Sequence, residues 1–199
     1  MHCYNEKKRI VKTSNQCNSK PLTPQKKTLS DLVKDYLKYY DNYYTFQEQW
    51  WGDKSLNWKG ALERAWMSRL PDGKMHSHQL RVSSKLGVGL RVSLADGLKP
   101  PLETFEQLYD WVESITNQVK GLGVMTTYDV AQRLGMWLDL YPIIVYLHQG
   151  TSAGAEKFNV RGKTAPLDAF PPEIQQLGAA HAENFLCIYK EYFISTSVV

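Results

Sequence analysis

Residues 104–138 read TFEQLYDWVESITNQVKGLGVMTTYDVAQRLGMWL, and the fold turns on how this stretch is parsed. Thr104-Phe-Glu-Gln107 is a capping box, in which the threonine hydroxyl and the glutamine side chain satisfy backbone amides left over at a helix start. Behind it Phe105, Leu108, Trp111, Val112, Ile115 and Val119 recur at helical spacing and form one apolar face. The pattern breaks at Lys120-Gly-Leu-Gly123 and resumes with Met125, Tyr128, Ala131, Leu134 and Leu138. Two amphipathic helices joined by so short a link must reverse direction tightly. Gly121 and Gly123 supply the backbone freedom for that turn, and Leu122 between them plugs the gap.

Outward from the hairpin the chain reads as mainly α, a single globular helical domain over residues 28–199. Leu32, Val33, Tyr36, Leu37 and Tyr40 follow a Ser30 cap at helical spacing, and Trp58, Ala61, Leu62, Ala65 and Trp66 form a second helical stretch. Residues 73–101 fit a short hairpin or an irregular helical insert equally well. Pro142 is expected to start a short buried helix, Ile143 to Leu147. Pro171 and Pro172 open a last helix carrying Ile174, Leu177, His181, Phe185, Ile188 and Tyr192. His181 is expected to be a hydrogen-bonded core residue. Cys187 reads as a small buried hydrophobe.

The net charge of +4 on 199 residues is unevenly placed. Residues 1–27 hold seven basic side chains against Glu6, giving +6, so the remaining 17 basic and 19 acidic side chains give residues 28–199 a charge of −2. The first 27 residues are poor in large apolar side chains and read as a flexible basic N-terminal arm. No apolar run approaches the roughly 20 residues of a membrane span, and no secretory signal is evident, so a soluble, cytoplasmic protein is expected. Cys3, Cys17 and Cys187 show no zinc or redox spacing and read as free thiols.

Val119, Gly121, Leu122, Gly123, Thr126 and Thr127 fall on the positions of a known pattern. Over 105–139 the chain resembles the helix-hairpin-helix motif of DNA-binding and repair proteins. Thr127 stands where that family usually carries Ala. The resemblance implies that Lys120, Gly121, Leu122, Gly123 and Thr126 contact the phosphate backbone of double-stranded DNA through amides at a helix N-terminus. Helix-hairpin-helix motifs also occur in DNA glycosylases, where a carboxylate follows the hairpin. Asp139, 16 residues beyond Gly123, would take that electrostatic role, with Tyr146 and His148 lining a pocket.

Other stretches offer further readings. Lys74, Arg81 and Arg91, with Arg69 and Lys85, make residues 69–91 the one locally basic segment outside the arm, suited to a phosphate-contacting wing. His76 and His78, two residues apart, have strand-like metal-ligand spacing, but no carboxylate or Cys nearby in sequence completes a set; no metal and no cofactor is expected. His148 beside Gly150 and Thr151 is an alternative centre for a phosphate or small-molecule enzyme. Trp50 and Trp51, adjacent in a helix, offer an alternative as a non-enzymatic protein-interaction surface, with the hairpin purely structural.

Overall fold

The computed structural model describes residues 28–95 and 97–193, residues 41 and 42 by backbone alone. The basic arm assigned to 1–27, with Cys3 and Cys17, lies outside the described residues. Those described are mainly helical, and sheet structure among them is one two-stranded ribbon. They sort into two compact units, residues 44–141 and residues 28–43 with 142–193. Helix α1 (Leu29–Trp51) contributes residues to both.

The first unit contains the hairpin. Helix α2 (Trp58–Met67) is capped by Asn57, whose Oδ1 accepts the Gly60 amide at 2.9 Å, and it buries Ala61, Leu62, Ala65 and Trp66. The ambiguous stretch after Gly73 is helical. A 3₁₀ turn at Ser77–Val82 runs directly into α3 (Ser83–Ser93), and Gly89 of α3 lies where any side chain would collide with the Trp66 ring. The expected capping box opens α4 (Phe105–Thr116): Thr104 Oγ1 accepts the Gln107 amide at 3.2 Å, while the Gln107 side chain accepts the Glu103 amide at 2.8 Å. Phe105, Leu108, Val112 and Ile115 are buried as the periodicity requires.

The tight reversal leads into α5 (Val124–Leu138). The buried hydroxyls of Thr116 and Thr127 share a hydrogen bond at 2.8 Å and hold α4 and α5 together just inside the turn. The hydroxyl at position 127 thus ties the two helices together. At the far end Gly135 approaches the Leu140 carbonyl and the Phe105 ring more closely than a Cβ allows.

In the second unit, Thr28 rather than Ser30 caps α1. The Asp31 amide donates to Thr28 Oγ1 and the Thr28 amide to Asp31 Oδ2, each at 3.2 Å. Leu32, Val33, Tyr36 and Tyr40 are buried behind this cap. The helix expected at Ile143 to Leu147 is instead a strand, β1 (Ile144–Tyr146), paired antiparallel with β2 (Thr164–Pro166) in the register Val145↔Ala165. The Ile-Ile-Val run is β-branched and suits a pleated surface, with Val145 buried and Ile143 exposed. Then follow α6 (Gln149–Ala155), α7 (Pro172–Gln175) and α8 (Ala179–Tyr189). The single C-terminal helix expected from Pro171 is divided by Gly178, whose φ of +74° ends helical geometry. Gly154 of α6 sits directly on the Leu186 carbonyl of α8. Cys187 is buried, and no described helix is long and apolar enough to cross a membrane.

Two glycines give opposite expectations. Gly135→Ala should cost about 1–3 kcal/mol through overpacking against Leu140 and Phe105. Gly87→Ala, in the interior of α3 with open space around it, should gain about 0.4–1 kcal/mol. Urea denaturation midpoints of the two variants check both signs.

Candidate nucleic-acid interface

Residues 117–123 link the two helices through a tight turn. Leu122 donates its amide to the Val119 carbonyl at 3.0 Å, and Gly121 has φ +93°, a conformation that side chains rarely adopt. Gly123 differs: at φ −139°, ψ −177° it is in extended backbone open to any residue, with empty space where a Cβ would stand. It occupies the N-cap of α5, no side chain caps that terminus, and the first turn carries no acidic residue. The positive end of the helix dipole is therefore bare. Lys120 is exposed next to it. The ammonium of Lys85, from the second residue pair of α3, fills the space a Cβ on Gly121 would take.

Of the predicted interface residues, Lys120, Gly121, Leu122 and Gly123 therefore stand together at one turn. Thr126 does not face outward. It is buried, and its hydroxyl donates to Gln79 Oε1 at 3.3 Å. Lys74 is exposed and pairs with Asp72 at 3.1 Å. Arg81 and Arg91 are exposed on the 3₁₀ turn and on α3, and the basic residue of this segment seated on the hairpin is Lys85.

Behind the turn lies a polar cluster that the sequence did not announce. Gln79 is fully buried and donates from Nε2 to Asp129 Oδ2 at 2.6 Å. The same oxygen is 3.5 Å from His78 Nδ1 and 3.6 Å from Arg133 Nη2. Arg133 in turn donates to the Ala65 carbonyl at 3.2 Å and to Ser68 Oγ, and its guanidinium lies over the Trp51 ring. Burial would raise the Asp129 pKa, but the hydrogen bond from His78 and the charge of Arg133 outweigh it and hold the carboxyl well below the usual range. His76 packs edge-on against His78 with ring centroids 4.9 Å apart. Burial, followed by the charge of Arg133, pushes the His76 pKa down to about 3, so this ring is neutral at pH 7. Asp129 and Arg133, four apart on α5, carry the spacing of an ordinary solvated pair, and that is why their burial was not legible.

The predicted catalytic residues fall in different units. Asp139 is the left-handed C-cap of α5, largely exposed, and ion-paired with Lys54 at 2.7 Å. At 1.5 Å per residue it stands about 22 Å along α5 from the bare N-terminus. Tyr146 and His148 belong to the second unit. There Tyr146 is buried, and His148 Nε2 is 2.8 Å from Glu183 Oε1, which also accepts the Thr151 hydroxyl at 2.7 Å. Thr151 is fully buried, so its hydroxyl is committed to this internal pairing. His181 is hydrogen-bonded as expected, its Nδ1 sharing a 2.8 Å hydrogen bond with the Tyr36 hydroxyl, but it is half-buried at the edge of the core rather than inside it.

The tryptophan pair is likewise engaged. Trp51 is buried; the Trp50 indole donates to the Arg69 carbonyl at 2.9 Å, with the Arg64 guanidinium 4.0 Å above its ring. A different aromatic group, Trp58 between Trp111 and Trp137 at 5.7 and 5.9 Å, is half-buried in the same unit.

Two ion pairs on α5 should separate sharply in energy. Arg133→Met removes the buried charge opposite the largely buried Asp129 carboxylate and should cost about 3 kcal/mol, whereas Lys54→Met at the exposed Asp139 pair should cost less than about 1 kcal/mol. Chemical denaturation of both variants measures the difference, and equal losses would contradict the internal role given to Arg133. No family model matches the chain, and no curated protein or solved structure is similar to it.

Proposed function

We propose that this protein binds the phosphate backbone of double-stranded DNA through the 119–127 hairpin. The observation that supports the reading is the bare N-terminus of α5 at Gly123, flanked by Lys120 on the turn and Lys85 brought in from α3. Outward amides and two ammonium groups suit a phosphate oxygen, and such contacts position a duplex without reading its sequence. Arg81 and Arg91, exposed on the adjoining basic segment, extend the reading to neighbouring phosphates. The reading is compatible with the cytoplasmic location expected from the sequence, where such a duplex would be met.

The proposal stops at backbone binding. Asp139 is solvated, paired with Lys54 and remote from the turn along α5, so nothing around it favours the electrostatic role that base excision would give it. Thr151 and His148, both held by Glu183, likewise lend no support to a phosphate-enzyme reading.

Gly123→Asp provides the cleanest test. An aspartate at this N-cap supplies the missing side-chain acceptor and should stabilise the fold by about a few tenths of a kcal/mol or more. Its charge should at the same time repel phosphate and weaken duplex binding several-fold. Lys85→Gln and Lys120→Gln should each weaken binding to any duplex sequence and reduce the steepness of log K against log salt by about 1. Fluorescence anisotropy of a labelled duplex over a salt series reads both effects. Affinity unchanged in all three folded variants would sink the hairpin interface.

A further inference from the structure

The histidine pair of the basic segment gains in space the carboxylate it lacks in sequence. His76, His78 and Asp129 each present one potential ligand atom, and these atoms lie within 4.8 Å of one another. We propose that these three residues form a binding site for a divalent transition-metal ion of the zinc type, independent of the duplex-binding reading.

Three observations carry the proposal. The first is donor chemistry: two imidazoles and one carboxylate are a recognised set for zinc and its neighbours, and three protein ligands leave a coordination position for water. The second is spacing. Ligand atoms around a tetrahedral zinc at 2.0–2.1 Å stand about 3.4 Å apart, and His78 Nδ1 already lies 3.5 Å from Asp129 Oδ2. Closing the rest of the set requires a shift of His76 toward them. The third is that His76 Nδ1 is buried and finds no hydrogen-bond partner among the described residues. A polar atom left so is unusual inside a folded protein, and an ion is one of the standard explanations.

The surroundings fit the outer shell of such a site. Gln79 Nε2 donates to the carboxylate of Asp129 at 2.6 Å, and Thr126 fixes Gln79 from the other side, so the ligand oxygen is oriented before any ion arrives. Arg133 opposes the ion, being 3.6 Å from the same carboxylate. Its other contacts, to the Ala65 carbonyl and Ser68, hold it in place as a counterweight that limits affinity.

The experiment uses the full chain, stripped with a chelator and titrated with zinc in the absence of DNA. The expected result is one equivalent bound, a melting temperature that rises with free zinc, and loss of that stoichiometric binding in His76→Ala. Because His76 Nδ1 makes no hydrogen bond to lose, this variant should fold; His76→Gln, nearer in volume, replaces it if it does not. Cobalt substitution supplies the second readout, a ligand-field spectrum of nitrogen and oxygen donors without a thiolate charge-transfer band. A protein that binds no zinc, binds it equally in the His76 variant, or shows the thiolate band of Cys3, Cys17 or Cys187 overturns the site.

Discussion

The carboxylate of Asp129 is the constraint on which the first unit depends. A buried charge of this kind is tolerable only when hydrogen bonds and an opposite charge replace the water it has lost. Those replacements come from two directions. Gln79 and His78 reach it from the irregular stretch before α3, and Arg133 reaches it from the next turn of α5. Arg133 then passes the constraint on, since its guanidinium also holds the end of α2 at Ala65 and Ser68. A segment with little apolar content of its own is thereby fixed against the hairpin. Where α3 begins, and so where Lys85 points, follows from that anchor.

The hairpin divides its labour among residues that look alike in sequence. Gly121 is needed for conformation, at a φ of +93° with the Lys85 ammonium against it. Gly123 is not: its backbone is ordinary and its surroundings are open. A serine or aspartate there would cap α5 and stabilise it. The position instead forgoes a cap, which keeps amides and dipole exposed. The threonine pair inside the turn compensates structurally, tying α4 to α5 with a buried hydrogen bond that leaves the outer amides untouched.

Elements with a local cause were legible. The capping box at Thr104, the apolar face of α4, the glycine turn and the hydrogen-bonded role of His181 each follow from residues within a few positions of one another or from a clear helical period. Elements decided by distant partners were not. The run Ile143 to Leu147 becomes a strand because residues 164–166 pair with it, and a helix-or-strand choice over five apolar residues has no local arbiter. Asp129 and Arg133 look solvated because charged residues four apart on a helix usually are. His76 and His78 lacked a third ligand in sequence because theirs arrives from α5, some fifty residues on.

Residues 28–199 sum to −2, which argues against binding DNA by bulk electrostatics. Net charge, however, governs long-range attraction, while a phosphate at van der Waals distance responds to the nearest few groups and to how rigidly they are held. At the hairpin those groups are fixed amides, Lys120, and Lys85 delivered by a helix whose start is anchored through the Asp129 cluster. Anchoring the start of that helix fixes the backbone from which Lys85 reaches the turn, so less order has to be gained there on meeting an anion. A slightly acidic body and a local phosphate site are therefore compatible. On the proposed reading, the acidic remainder would disfavour contact elsewhere on the described residues and leave attraction to the hairpin turn, where Lys120, Lys85 and an uncapped helix start coincide.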